Sequence, residues 1–338
     1  EPNNNGIRSI NKNIKRLLGI DPKFITTILI GILTFLGFSM LTPYITLFGR
    51  EIGMPAVLIG SLIFVRYGID GVSRIPMGNL ADIVSRPKVM IIGSSLLLTS
   101  ALFYLLAPMY WESLIVAQIL FGIGISTMLV SLSSYVTSNF SSEGISKYTF
   151  ATGVGTFTGS FLGGMVKDYF GMEKVFVLFL GLTLSVLILS IYLIRKQETF
   201  KTEKFDINPV KSYLEAYSLL GEKYQLRRVT ILSLIFITTF TIGLAIVPIY
   251  YKSIGMSSSY IGILQGLWLG TSTMIRLTSD KIIRTIDNIS TSITGILITG
   301  ISLTLMTFTQ EFYVLALISI FWGISGLNLP AIYSEISR

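Results

Sequence analysis

IGSLIFVRYGIDGVSRIPMGNLADIVSRPK, residues Ile59 to Lys88, is the stretch from which the rest of the chain is read. It opens as an apolar run long enough to cross a bilayer. It ends, from Ala81 onward, in a short charged turn, and a new apolar run begins at Val89. Arg66, Asp70 and Arg74 stand four residues apart inside the apolar part, which sets all three near one face of a helix. A charge at membrane depth costs about 3 kcal/mol or more unless it faces protein, water or another charge. Why the chain keeps these three is the question on which its function turns.

Hydrophobic residues make up 51% of the 338 positions and charged residues 13%. Soluble domains carry roughly 25% charged residues, so this composition belongs to a polytopic membrane protein. There is no cysteine, which excludes disulfide and thiolate chemistry, and no histidine, the usual neutral-pH proton carrier and metal ligand. Any proton the chain handles must ride on a carboxylate. No cofactor or metal is expected, and no enzyme. There is no G-x-S-x-G elbow or phosphate loop, and the G-x-G pairs starting at Gly122 and Gly153 lie inside apolar helices.

Ten apolar segments are expected to span the membrane, each near the 20 or so residues that a 30 Å hydrocarbon core requires. They are Phe24–Phe48, Val57–Asn79, Val89–Met109, Ser113–Val136, Tyr148–Val166, Val175–Ile194, Val229–Tyr250, Tyr260–Leu277, Ile289–Thr307 and Phe312–Ser334. Residues 1–23 read as a cytoplasmic basic amphipathic segment. Residues 24–194 form a six-helix bundle, residues 195–228 a charged cytoplasmic connector with an interfacial helix after Pro209, and residues 229–338 a second bundle of four helices. Pro43, Pro76, Pro248 and Pro330 are expected to kink their helices.

Basic residues set the orientation. Arg8, Lys12, Lys15, Arg16, Lys23, Arg86, Lys88, Lys147, the connector's lysines and arginines, Arg276, Lys281, Arg284 and Arg338 fall on one side. Only Arg50, Lys167, Lys174 and Lys252 fall on the other. This places the amino terminus in the cytoplasm, in a cell (cytoplasmic) membrane. The net charge of +8 is then an inner-leaflet pattern and calls for no nucleic acid.

A displacement of 202 residues superimposes parts of the chain. Ile52-Gly53-Met54 falls on Ile254-Gly255-Met256, Ile59-Gly60 on Ile261-Gly262, Gly68 on Gly270 and Arg74 on Arg276. With a four-residue gap, Asp82 and Arg86 would then match Asp280 and Arg284. A duplicated bundle joined by a cytoplasmic connector is the architecture of rocking transporters.

The turn Gly78-Asn79-Leu80-Ala81-Asp82-Ile83-Val84-Ser85-Arg86-Pro87-Lys88 resembles the major facilitator superfamily signature G-x-L-A-D-R-x-G-R-K. Gly78, Leu80, Ala81, Asp82 and Arg86 match, while Ile83, Ser85 and Pro87 depart. Gly155-Thr-Phe-Thr-Gly159-Ser160-Phe-Leu-Gly163-Gly164 resembles the family's antiporter motif G-x-x-x-G-P-x-x-G-G, with Ser160 for the proline. Gln118-Ile-Leu-Phe121-Gly122-Ile-Gly124 resembles R-x-x-Q-G-x-G, with Gln118 for the arginine. The resemblance implies a drug- or sugar-efflux-like transporter with an MFS-type bundle, here a six-helix half plus four helices of the second half. Members of that family have twelve spans, so spans eleven and twelve are expected to be missing from this sequence, by truncation or naturally. Asp82 and Arg86, with Asp280 and Arg284, are implied to hold the two halves together in the outward-facing state. Arg74 and Arg276, at matched positions, are gate candidates that can also snorkel to the surface.

Asp70 is the one of the 18 acidic residues that falls deep inside an apolar span. Burial favours its neutral acid and an adjacent arginine favours the carboxylate. Asp70 is therefore the candidate for proton or ion coupling, with Arg66 as switchable counter-ion or anchor for an anionic substrate. A permanent intrahelical ion pair is the plainer alternative. Gly155, Gly159 and Gly163 make a flat stripe for close helix packing at a moving interface. Tyr67, Gln118, Gln265, Trp268, Trp322 and Asn328 are the candidates to line a substrate pocket, the amides first, because an amide in hydrocarbon requires a partner. The expected function is secondary transport of a small solute by alternating access, proton-coupled, with efflux favoured, by a monomer in the lipid bilayer. The alternatives are an uncoupled facilitator or a transport-inactive membrane sensor or scaffold.

Overall fold

A computed structural model describes residues 21–195, 224–328 and 331–332. The basic amino-terminal segment, the connector helix after Pro209, Pro330 and the side chains of Asp280, Lys281 and Arg284 lie outside the described residues. Within them the chain is helical, with no strand. The helices are α1 (Pro22–Leu41), α2 (Ile45–Glu51), α3 (Ala56–Ile83), α4 (Arg86–Leu106), α5 (Glu112–Asn139), α6 (Ser142–Phe170) and α7 (Met172–Arg195). After the connector come α8 (Tyr224–Ala245), α9 (Val247–Ser253), α10 (Ser258–Ile275), α11 (Ser279–Ile286), α12 (Asn288–Met306) and α13 (Phe312–Gly323).

The helices begin and end where local chemistry says they should. Asp21 caps α1 by accepting from the Lys23 N–H, with Pro22 at the first helical position. Pro43 lacks the N–H that would continue α1, so span one breaks into α1 and α2. Span seven breaks likewise at Ile246, just ahead of Pro248. Pro76 breaks nothing: it lies inside the unbroken α3.

The 202-residue repeat reappears in the backbone. The bounds of α2 fall on those of α9, and the starts of α3 and α4 on those of α10 and α12. Gly53 and Gly255 both take positive φ, at 76° and 87°. Each follows the same turn hydrogen bonds, Gly53 N–H to Arg50 O in one half and Gly255 N–H to Lys252 O in the other. Among the described residues the two non-glycine positions with positive φ, Ser85 at 144° and Asp287 at 79°, are also 202 apart. This corrects the expected four-residue gap. The turns before α4 and α12 correspond without one, so Asp82 is opposite Arg284, not Asp280. The register survives because a 3-10 turn at Arg276–Thr278 and the short α11 replace the last turns of α3 without changing the residue count.

Seven helical segments among the described residues are long and apolar enough to cross a membrane: Pro22–Glu51, Ala56–Ile83, Arg86–Leu106, Glu112–Asn139, Met172–Arg195, Arg227–Ser253 and Asn288–Met306. The other three expected spans are helices of a different character. Phe312–Leu327 is apolar but shorter. The helices α6 and α10 are richer in glycine, serine and threonine, and they pack against each other between the halves. Hydroxyls inside the apolar helices are tolerated because they donate back to their own helix. Thr27 donates to Lys23 O, Ser94 to Met90 O, Thr183 to Phe179 O and Ser190 to Val186 O.

Candidate functional site

Asp70 does not point outward. Its side chain is 9% exposed, and it accepts two hydrogen bonds from Arg74, Nε to Oδ1 at 3.1 Å and Nη2 to Oδ2 at 2.9 Å. Arg74 follows one turn later on α3 with its side chain 47% exposed. The pair therefore runs from the packed interior to the rim of the helix. This corrects the expected partner: Arg66, one turn earlier, makes no ion pair with Asp70. The bidentate geometry favours Arg74, because side chains on a helix lean toward its amino terminus. Arg74 leans back over Asp70, while Arg66 leans away from it.

Arg66 goes instead into the bundle. It is 2% exposed and donates from Nη1 to Thr42 Oγ1 at 3.0 Å. Its guanidinium carbon lies 4.5 Å from the Phe121 ring centroid, 4.6 Å from that of Phe38 and 4.9 Å from that of Tyr67. Among the described residues its Nη2 is buried without a hydrogen-bond partner, and so are the Tyr67 hydroxyl and both amide atoms of Gln118. Gly122 lets α3 and α5 approach: a methyl there would stand 2.8 Å from the Arg66 carbonyl oxygen.

The second half holds its own cluster. Trp268 and Trp322 stack at 3.8 Å between centroids and 11° between planes. Gln265 donates to Gly243 O at 3.0 Å, leaving its Oε1 without a partner among the described residues. Asn328 is fully buried against Gly295, and its amide lacks a hydrogen-bond partner among the described residues. The candidate pocket residues thus fall into two groups, one per half. Arg276, the repeat-mate of Arg74, donates to Gly326 O and Ser272 Oγ, each at 3.3 Å. Snorkelling alone does not describe it, since it ties α10 to the turn after α13.

The glycine stripe is placed differently from expectation. Gly155, Gly159 and Gly163 pack on the α1 backbone at Ile32, Leu36 and Met40, inside their own half. Contact with the other half is made by Gly153 against Thr273 and Gly164 against Ser258, met by Gly262 and Gly266 of α10 against Ser160 and Phe157. A helix has more than one face, and a four-residue glycine spacing marks a close contact without saying with which neighbour.

Sequence reasoning missed the lock where the halves meet. Asp168, just past the apolar run of α6, accepts from the main-chain N–H of Ser258 at 2.9 Å and of Ser259 at 2.6 Å, and from the Ser259 hydroxyl at 2.7 Å. It caps the amino terminus of α10, where the helix dipole favours a negative charge. The buried Tyr44 hydroxyl donates to Ser160 O at 2.8 Å, with a 3.3 Å contact to Ser258 O. Lys167 pairs with Glu51 beside it. The helices α2 and α9 also touch at this end. At the opposite end, in the turn between α3 and α4, neither Asp82 nor Arg86 takes part in an ion pair among the described residues. Gly78 and Leu80 precede that turn on α3, with Gly78 facing Val130 of α5.

A repeated helical bundle with buried polar groups in each half, locked together at one end, is the layout of a membrane transporter. The chain belongs to the Major Facilitator Superfamily, whose profile matches residues 27–337. A curated relative from Buchnera aphidicola subsp. Baizongia pistaciae, an uncharacterized transporter, is 26% identical over 192 residues. That match spans 55% of this chain and 47% of the relative. Among solved structures, the human organic anion transporter MFSD10 (TETRAN) superimposes with a TM-score of 0.67 at 17% identity, covering 94% of this chain and 86% of that one. A D-xylose-proton symporter superimposes at 0.65 and 12% identity, covering 90% and 79%. These likenesses establish the fold. The chain is a multi-pass membrane protein of a transporter family.

Proposed function

We propose that this protein moves a small solute across the cytoplasmic membrane by alternating access, as an antiporter that exports its substrate in exchange for protons that enter down their gradient by way of Asp70. The observation that carries the reading is the Asp70–Arg74 pair, a carboxylate sunk in the bundle and held by a half-exposed arginine. In the absence of histidine, a buried acid with a cation able to swing away is what can take up and release a proton. Protonation would neutralise Asp70 and free Arg74 to turn outward, and deprotonation would restore the pair. By the charge pattern, the Asp168 end faces outward. The lock there makes this conformation the one closed to the outside, and transport requires that it open while the other end closes.

The experiment is counterflow and proton flux in liposomes with the purified protein and its Asp70→Asn variant. Counterflow that persists in the variant while substrate-driven acidification disappears supports coupling through Asp70. Unchanged acidification in the variant removes Asp70 from the mechanism. Counterflow without acidification in the unmodified protein identifies a facilitator, in which the Asp70–Arg74 pair is permanent.

A further inference from the structure

We infer that Arg66, with Gln118 and Tyr67, forms an anion site whose ligand is an organic carboxylate with a flat apolar body. The inference rests on the transport reading above and supplies the substrate class that reading leaves open. A guanidinium cannot shed its charge, and a buried one requires a counter-anion or a full set of acceptors. Among the described residues Arg66 has one hydroxyl acceptor, Thr42, and a buried Nη2 with none. The nearest carboxylate on its own helix, Asp70, is engaged by both nitrogens of the Arg74 fork. The rings of Phe38, Phe121 and Tyr67 compensate part of the charge and fix the guanidinium. A fixed planar fork is suited to a carboxylate, which it binds through two parallel N–H donors.

The neighbouring groups fit the same ligand. The Arg66 carbonyl lies against Gly122 on α5, and Gln118 is one turn nearer that helix's amino terminus. The helices α3 and α5 are separated by one crossing, so they run in the same direction, and the Arg66 side chain leans toward the level of Gln118. Gln118 carries an N–H₂ donor and Tyr67 an O–H donor, both buried and without partners among the described residues, which an anion's oxygens would satisfy once the bundle opens beside them. Phe38 and Tyr67, only half-buried, make the rim of the site aromatic, which suits a ligand with a flat apolar body.

The test uses purified protein in detergent, with benzoate as probe, benzamide as its neutral isostere and chloride as a bare anion, read by calorimetric titration. The expected result is benzoate binding at least tenfold tighter than benzamide, with chloride a poor competitor. The preference should fall about tenfold in Arg66→Lys, which keeps the charge and loses the fork. It should vanish in Arg66→Met, each variant being checked by circular dichroism. Equal binding of benzoate and benzamide to the unmodified protein, no binding of either, or displacement of benzoate by equimolar chloride overturns the proposal without any variant. Retention of the preference in a folded Arg66→Met protein does so too. Proteoliposomes separate the two readings. Benzoate binding without benzoate counterflow leaves the site and removes transport, whereas counterflow of a neutral solute without benzoate binding leaves transport and removes the site.

Discussion

Asp168 and Ser259, 91 residues apart and in different halves, are joined by two hydrogen bonds to one carboxylate oxygen, at 2.6 Å from the main-chain N–H and 2.7 Å from the hydroxyl. A helix amino terminus in one half is thus capped by a side chain from the other. Partial burial pushes the Asp168 carboxyl up, but the hydrogen bonds from Ser259 and Ser258 outweigh it and hold the group below its ordinary value. Because the folded value is depressed, the lock contributes fully above the unfolded value of about 3.9. It is lost as pH falls through the folded value. The closed end should therefore be unchanged from pH 8 to pH 5 and open only below about pH 4. Asp168→Asn should weaken it wherever the carboxylate is ionised, by about 1 kcal/mol as for loss of a cap, and should remove its pH dependence. The chain lacks cysteine, so the labelling rate of a single introduced Leu47→Cys thiol reads this directly. Unchanged labelling in Asp168→Asn would show that the contact does not hold the end shut.

Ser85 should be a site of easy stabilisation. It sits at φ 144°, ψ 141°, in a region that suits glycine, and its side chain makes no capping bond to α4. Such a backbone costs about 1–3 kcal/mol for a residue with a Cβ. Its repeat-mate Asp287 offsets similar strain by accepting from the Ile289 and Ser290 N–H groups. Ser85→Gly is expected to raise the melting temperature in detergent, and Asp287→Ala to lower it. A melting temperature lowered by Ser85→Gly would contradict the strain assignment.

Gly159 and Gly60 should respond in opposite ways to alanine. A methyl at Gly159 runs into the Leu36 carbonyl oxygen and the Ser39 hydroxyl, and the backbone oxygen cannot step aside without moving α1. Overpacking of this kind costs about 1–3 kcal/mol. At Gly60 nothing among the described residues lies within 4 Å, so alanine should gain up to about 1 kcal/mol of helix propensity. Thermal unfolding of the two variants side by side decides it.

The Asp70–Arg74 pair should show strong coupling. Arg74→Gln leaves a buried carboxylate without its main cation, and Asp70→Asn leaves only a half-exposed arginine, so the first should destabilise more. A penalty of about 1–3 kcal/mol is expected for Arg74→Gln, below the range for fully buried pairs because Arg74 reaches solvent. The double variant should recover part of that loss. Additive losses in the double-mutant cycle would mean that the two side chains do not interact in solution.

Membrane class, helical content and the repeat were legible in the chain itself, because bilayer thickness and the absence of water impose length and apolarity on each span directly. The repeat was readable even in its turns: Gly53 and Gly255 were matched from sequence, and both take the positive φ that glycine alone adopts easily. The gap drawn between Asp82 and Asp280 was an error of local likeness. A D-x-x-x-R spacing is a weak signal, and the register is held by the turns at Ser85 and Asp287. Side-chain partnership was not legible. Arg66, Asp70 and Arg74 are spaced symmetrically along the chain, and which arginine meets the acid depends on side-chain lean and on what lies across from α3. Only packing sends Arg66 among the rings of Phe38 and Phe121, and only packing turns Gly159 toward α1 and Gly164 toward α10. The Asp168 lock was beyond sequence reasoning for the same reason. A carboxylate that caps a helix 90 residues away leaves no local signature, because the N–H groups it satisfies are main-chain groups that every helix start possesses.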